Sequence, residues 1–296
     1  MTPELITSAQ NPKLKHLLAL QEKSRLRREE GMFVVEGRRE FEHCIAAGFV
    51  ADSVFICPEI YYGPSGSVPP LTASLRSAPP ISGDGPLPLS RGWRRSCGGT
   101  LPGGCKLFHL SKDLYEKAAY RGSTEGIIAE IKSRALGLQD LELKDNPLII
   151  VLEGVEKPGN LGAVLRSADA AGADAVMICD PLTDLWNPNL IRASIGAVFT
   201  VPTVTCTGEE AISFLKSRGI RILTAQLQDS SVYYNADMTC GTAIVMGTES
   251  SGLTQAWREA ADAHILIPML GRLDSLNVSV SASILLYEAV RQRQKK

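Results

Sequence analysis

The chain has 296 residues, 44% hydrophobic and 21% charged, with a formal net charge of −1. That is ordinary globular composition, long enough for two domains with their own cores, and it leaves any nucleic-acid contact to local basic patches rather than to overall charge. The seven cysteines are scattered, with no CxxC pair, no apolar leader opens the N-terminus, and no stretch approaches the roughly 18 apolar residues of a membrane span. The expectation is a reduced, cytoplasmic protein with no disulfide framework, no metal site and no membrane segment.

In chain order, Asn11 to Leu20 sets Leu14, Leu17 and Leu18 at helical spacing with Pro12 suited to the first turn, which predicts a short amphipathic helix. From Asn11 to Glu40 eight Lys or Arg stand against five Glu. The stretch QEKSRLRREEG then has two readings, a solvated helix face and loop, or RNA-phosphate contact by Lys23, Arg25, Arg27 and Arg28. Phe33 to Val35 reads as a strand, Arg38 to Ala47 as a helix stopped at Gly48, and Val54 to Cys57 as a second strand. Between Tyr61 and Gly104 fall eight of the chain's 17 prolines and nine glycines with no sustained hydrophobic period, which predicts a flexible insertion and not a domain. Its arginines, Arg76, Arg91, Arg94 and Arg95, surround Trp93 and read either as disordered filler or as an RNA-touching tract. A strand at Leu107 to Leu110, a helix near Lys112 to Ala119 and a strand at Ile127 to Ile131 complete a small α/β domain over 1–131, followed by a polar linker at 132–146.

The second domain, 147–296, opens on Leu148 to Leu152, a continuous apolar run of the kind a parallel sheet covered on both faces requires. A turn from Glu153 to Gly159 leads into a helix whose core stripe is Leu161, Val164, Leu165 and Ala168, with Asn160 as N-cap, Gly172 as the residue past its end, and Arg166 off the stripe. Strands follow at Ala175 to Cys179, around Val201 to Val204, at Arg221 to Ala225, at Thr242 to Met246 and at Ile265 to Ile267. Helices alternate with them, through Ser194, over Glu209 to Arg218, near Thr254 to Asp262 and at the C-terminus. This alternation predicts a parallel α/β sheet.

Such sheets hold ligands at their strand ends. Three stretches there differ from ordinary core: the small-residue turn carrying Gly247, Glu249 and Gly252, the strand end Ile267-Pro268-Met269, and the polar cluster Ser275, Asn277 and Ser279. Together they predict a cofactor pocket between Met246 and Ser283. The first turn, 153–162, is glycine-rich but matches neither GxGxxG nor GxxxxGK[ST], and Pro158 obstructs the tight turn of a dinucleotide site, so an NAD enzyme or a nucleotide hydrolase is not expected.

The pair Asn160 and Arg166 instead resembles the first motif of the SpoU/TrmH RNA ribose 2′-O-methyltransferases. Asn187-Pro188-Asn189-Leu190-Ile191-Arg192-Ala193-Ser194-Ile195-Gly196 resembles the second. Gly247, Glu249 and Gly252, then Ile267-Pro268-Met269, then Ser275-Leu276-Asn277 resemble the third. The order of all three across Leu148 to Arg293 carries the resemblance. ITSAQNPKLKHLLAL and FVVEGRREFEHCIAAG are similar to the L30e-like substrate-binding domain of many members, and the insertion at 61–104 departs from that pattern.

What the resemblance implies is a SPOUT-like α/β fold: a parallel sheet with a C-terminal trefoil knot, beside a small N-terminal α/β L30e-like domain. It implies S-adenosylmethionine as cofactor, held by backbone at Gly247, Ile267, Met269 and Leu276, and a homodimer as the active unit. Arg166, Asn160, Glu249, Ser275 and Asn277 would form the catalytic set, with Arg192, Ser194 and the basic N-terminal stretch toward RNA. The 2′-hydroxyl is a poor nucleophile until its proton is being removed. None of the four histidines lies in a matched motif, and the resemblance implies that Arg166 meets the 2′-hydroxyl, either as proton acceptor helped by an adjacent phosphate or, since a guanidinium with a pKa above about 12 is a poor base, as a group that orients the ribose and neutralises charge. The substrate expected from the L30e-like domain is ribosomal RNA of the large subunit, with tRNA or a non-catalytic RNA-binding role as the alternatives.

Overall fold

The computed structural model describes residues 3–61, 104–120, 125–248 and 251–294. The predicted insertion between Tyr61 and Gly104, with its arginines and Trp93, and the predicted Glu249 lie outside the described residues. The chain divides into two compact units, Met1–Arg134 with Trp186–Pro188, and Ala135–Leu185 with Asn189–Lys296. Trp186 belongs to the first because its ring stacks on Phe33 at 4.4 Å and meets Phe49 edge-on at 5.5 Å.

The first unit is built on a five-stranded sheet of β1 (Glu4–Ile6), β2 (Met32–Glu36), β3 (Val50–Ile56), β4 (Lys106–Leu110) and β5 (Ile127–Lys132), in the order β1-β4-β3-β5-β2. β1, β4 and β3 run parallel, while β5 pairs antiparallel with β3 and β2. Among the described residues five helices accompany it: α1 (Pro12–Glu22), α2 (Ser24–Glu30), α3 (Arg38–Ala46), α4 (Pro58–Tyr61) and α5 (Lys112–Ala118). α1 starts as Pro12 predicts, with the Asn11 side chain accepting the Lys13 amide at 2.9 Å. Its apolar face buries Leu14, Leu17 and Leu20.

The basic stretch folds into α2 rather than a loop, and this corrects one predicted RNA contact. Arg27 is 3% exposed, and its guanidinium donates to the carbonyls of Leu20 at 2.6 Å and Gln21 at 3.0 Å. It therefore satisfies the open carbonyls at the end of α1, where a cation is also favoured by the helix dipole. Lys23, Arg25 and Arg28 remain exposed, with Arg25 bonded to Glu29 at 2.6 Å along the same helix. On the other face of this region His16 is held between Glu130, 2.8 Å from Nδ1, and Glu30, 2.7 Å from Nε2.

The second unit is a seven-stranded sheet of β6 (Leu148–Glu153), β7 (Ala175–Cys179), β8 (Thr203–Cys206), β9 (Arg221–Ala225), β10 (Ser231–Val232), β11 (Thr242–Met246) and β12 (Ala263–Leu266). Every pairing is parallel, in the order β10-β12-β9-β11-β6-β7-β8. All residues of β6, β7 and β11 are buried, which is why their sequences are apolar without alternation. The helices are α6 (Pro158–Ala171), α7 (Pro188–Ala193), α8 (Ala197–Thr200), α9 (Gly208–Ser217), α10 (Gln255–Ala260) and α11 (Val278–Arg293).

The winding reverses at β6, which sends β7 and β8 to one side and β11, β9 and β12 to the other. Crevices beyond the carboxyl ends of strands at such a reversal are where open α/β sheets bind ligands. The last strand, β12, enters the interior of the sheet between β9 and β10. Gly172 ends α6 in the left-handed conformation at φ 65°, as its position predicts. Asn160, in contrast, is not the N-cap of α6. Pro158 fits the first helical position, so the cap falls on Lys157 and Asn160 lies inside the first turn.

Candidate active site

At the carboxyl ends of β9, β11 and β12 the second unit encloses a cavity of about 370 Å³, within the roughly 300–1,000 Å³ typical of small-molecule sites. Its apolar wall includes Met246, Leu253, Ile265, Val278 and Leu285. Gly247, Ile267, Met269 and Leu276, the four residues expected to hold a cofactor, all line it, as does Ser275. The loop after β11 makes this possible by doubling back on itself. Thr248 and Gly252 exchange backbone hydrogen bonds at 3.2 and 3.1 Å, and a Cβ at Gly247 would collide with the carbonyl of Gly252. Only glycine fits there.

A smaller cavity of about 140 Å³ is lined by Gly154, Val155, Glu156, Lys157 and Asn160 and shares Gly247, Thr248 and Val278 with the larger one. The two therefore adjoin across the start of the glycine loop. Asn160 reaches this seam from the first turn of α6, and its Oδ1 accepts from Asn277 Nδ2 at 3.1 Å. Asn277 also caps α11, with its Oδ1 taking the Ser279 amide at 3.0 Å and the Ser279 hydroxyl at 2.6 Å. One side chain thus closes the last helix and orients a residue 117 positions upstream.

Not every predicted residue converges on the seam. Arg166 is exposed and lines neither cavity. Six residues beyond Asn160 on the same helix, it points about 120° around the axis from it. Ser194 is 1% exposed, and its hydroxyl donates to the Ile191 carbonyl at 2.7 Å and accepts the Val198 amide at 3.4 Å. In this fold it fastens the turn between α7 and α8, where Ile195 stands at φ 55° and Gly196 at φ 83°. A β-branched residue in that region costs roughly 1–3 kcal/mol. Arg192 lies on α7 and donates to Asn189 Oδ1 at 3.2 Å.

Three residues at the site carry no signal in the sequence. Glu153, 7% exposed at the end of β6, accepts the amide of Thr254 at 2.9 Å and its hydroxyl at 2.7 Å, which fixes the start of α10 against the central strand. Arg258 on α10 and Gln226 after β9 both line the large cavity, and each has a buried polar atom, Nε and Oε1, without a hydrogen-bond partner among the described residues. Buried groups of this kind are normally satisfied. Nothing in TQAWREA or TAQLQD marks them, because only the folded chain brings β9 and α10 to one wall. Among the described residues no group of His, Cys, Asp or Glu is arranged to hold a metal, and no helix is long and apolar enough to cross a membrane.

Residues 147–287 match the SpoU rRNA Methylase family, and residues 11–77 match the MRM3-like substrate binding domain. The chain is 38% identical over 197 residues to the 23S rRNA (guanosine-2′-O-)-methyltransferase RlmB of Photobacterium profundum, an alignment covering 64% of this chain and 80% of that one. To the RlmB of Ralstonia nicotianae it is 39% identical over 174 residues, covering 57% and 70%. A solved RNA 2′-O ribose methyltransferase superposes with a TM-score of 0.76 at 34% identity, covering 98% of this chain and 99% of that one. An AdoMet-bound rRNA methyltransferase from Sinorhizobium meliloti shares the fold, with a TM-score of 0.78 at 24% identity over 98% of each chain.

Proposed function

The chain belongs to the SpoU rRNA methylase family, and from that premise we propose that it transfers a methyl group from S-adenosylmethionine to a ribose 2′-hydroxyl of large-subunit ribosomal RNA. The observation that carries this reading is the pair of adjoining cavities, one sized and walled for a cofactor, the other presenting Asn160 across a shared seam. The fit to S-adenosylmethionine rests on the apolar wall, which suits an adenine ring, on the collision that any Cβ at Gly247 would cause, and on the unsatisfied atoms of Gln226 and Arg258. The backbone of Gly247, Ile267, Met269 and Leu276 would hold the nucleoside. Bound there, the cofactor would supply a methyl on a sulfonium, which the 2′-hydroxyl oxygen takes as its proton passes to an adjacent phosphate of the RNA and the thioether leaves.

The chain's own residues provide the alignment. The bridge from Asn277 sets Asn160 with its Oδ1 turned toward α11, which makes Nδ2 its donor end at the seam. Ser275 lies on the cavity wall next to Asp274, to which its hydroxyl donates at 3.2 Å. Arg166 orients the ribose and balances phosphate charge, since a guanidinium that stays protonated cannot accept the hydroxyl proton. Glu249 would steady these groups. Because Arg166 is exposed and lines neither of this chain's cavities, a homodimer is the working unit we infer, with a second copy bringing arginine and seam together. A trefoil knot at the C-terminus is supported by the place of β12, between β9 and β10 inside the sheet.

RNA is gripped, in this reading, by the L30e-like N-terminal domain through Lys23, Arg25 and Arg28 and by Arg192. The names of the methylase family and of the relatives support ribosomal over transfer RNA. The test is to incubate the protein with labelled S-adenosylmethionine and either large-subunit rRNA or tRNA, then map 2′-O-methylation. Label in ribose of the rRNA supports the reading. Label on a base, or in tRNA alone, refutes it.

A further inference from the structure

Arg258 and Asp274 are the two charged side chains on the wall of the large cavity among the described residues, and they have opposite signs. Everything else on that wall is apolar or neutral. Arg258 Nε is buried without a hydrogen-bond partner among the described residues, and Asp274 accepts the neighbouring Ser275 hydroxyl at 3.2 Å. A guanidinium N–H left unsatisfied away from water is unfavourable unless something else completes it. Its planar fork matches a carboxylate.

We propose that Arg258 and Asp274 recognise the amino-acid end of the cofactor, Arg258 taking the α-carboxylate and Asp274 the α-ammonium. This rests on the S-adenosylmethionine reading above. A zwitterion offers each of these residues an opposite charge at once, whereas adenine and ribose carry no charge to match them. Position agrees with chemistry. The Arg258 guanidinium lies 3.8 Å from where a Cβ on Gly252 would stand, so it borders the same doubled-back loop whose Gly247 and Thr248 form the seam toward Asn160. In the cofactor the reactive methyl and the amino-acid chain hang from one sulfur. Anchoring the chain beside the loop therefore points the methyl at the seam, which makes both residues positioning residues for transfer.

The experiment is titration calorimetry on the full chain with S-adenosylhomocysteine and with 5′-methylthioadenosine, which lacks the amino-acid end. The wild type should bind S-adenosylhomocysteine more tightly. Arg258→Gln should lose about tenfold or more for S-adenosylhomocysteine while 5′-methylthioadenosine stays within about twofold. Asp274→Asn, at an exposed loop position that no core packing depends on, should show the same selective loss. Equal loss for both ligands, or no loss for either, overturns the proposal. A wild type that binds neither ligand would instead overturn the cofactor reading itself, and this proposal with it.

Discussion

Replacing Gly162 by alanine sets two effects of opposite sign against each other. In an exposed helix interior the change stabilises by about 1 kcal/mol, because glycine loses more backbone freedom on folding. Gly162 is buried in α6, and a Cβ there would stand 2.6 Å from Ala193 Cβ, 2.7 Å from the Ser194 amide nitrogen and 2.8 Å from the Ala193 carbonyl carbon. Two of those three atoms are backbone and cannot turn aside by a rotamer change, so the upper end of the roughly 1–3 kcal/mol cost of overpacking applies. The expected balance is a loss of about 2 kcal/mol, or about 4–8 °C in Tm for a unit of this size. Urea unfolding should show a lower midpoint with an unchanged m value. Gly162 lies between Asn160 and Arg166 on one helix, so turnover should fall further than stability does at temperatures where the variant is folded. A Gly162→Ala protein as stable as the wild type would refute the steric argument outright.

Arg166→Ala should lower methyl transfer by about 100-fold or more, as removal of a charge-stabilising donor does, while calorimetric cofactor affinity stays nearly intact, because the residue lines neither cavity. Normal turnover in this variant would remove Arg166 from the mechanism. Asn277→Asp keeps the oxygen that caps α11 but loses the donor to Asn160, so its melting temperature should match the wild type while kcat falls; Asn277→Ala should lose both. For His16, burial lowers the pKa, but the hydrogen bonds its ring donates to Glu30 and Glu130, with the charge of both carboxylates, outweigh it and leave the value raised above 6.5. Its stabilising contribution is then fully present below pH 6.5 and is lost as pH rises through the raised value, so the margin of wild type over His16→Gln should shrink as the pH is raised from 6.5 upward. A constant margin over that range would show that the ion pairs do not carry it.

The buried strands were the most legible part of the chain, since a run such as Leu148 to Leu152 has no solvent face to accommodate and so no polar residue to blur it. Two edge strands were not: β1 and β10 are three and two residues long, too short to show a period. Asn160 was misplaced as a cap because two residues competed for the helix start, and the fixed φ of Pro158 decided it. Arg27 was misread because a run of charges does not reveal which of its members the fold turns inward. The wall of the large cavity was legible where loop residues carry it, at Gly247, Ile267, Met269 and Leu276. Its charged members were not, since Arg258 looks like any polar residue on a helix until α10 is docked, and the docking depends on Glu153 more than 100 positions earlier.

The bridge from Asn277 to Asn160 makes the two cavities thermodynamically reciprocal. A ligand that orders Ser275 and Leu276 against the large cavity also holds Asn277, and through it the first turn of α6. If cofactor and RNA occupy the two cavities as proposed, whatever free energy the cofactor contributes to fixing Asn160 must reappear as tighter binding of RNA, and RNA must return the same factor to the cofactor. The single amide-to-amide hydrogen bond at 3.1 Å is then a candidate for setting the order in which the two substrates are acquired, because whichever arrives first finds the other's site already partly arranged.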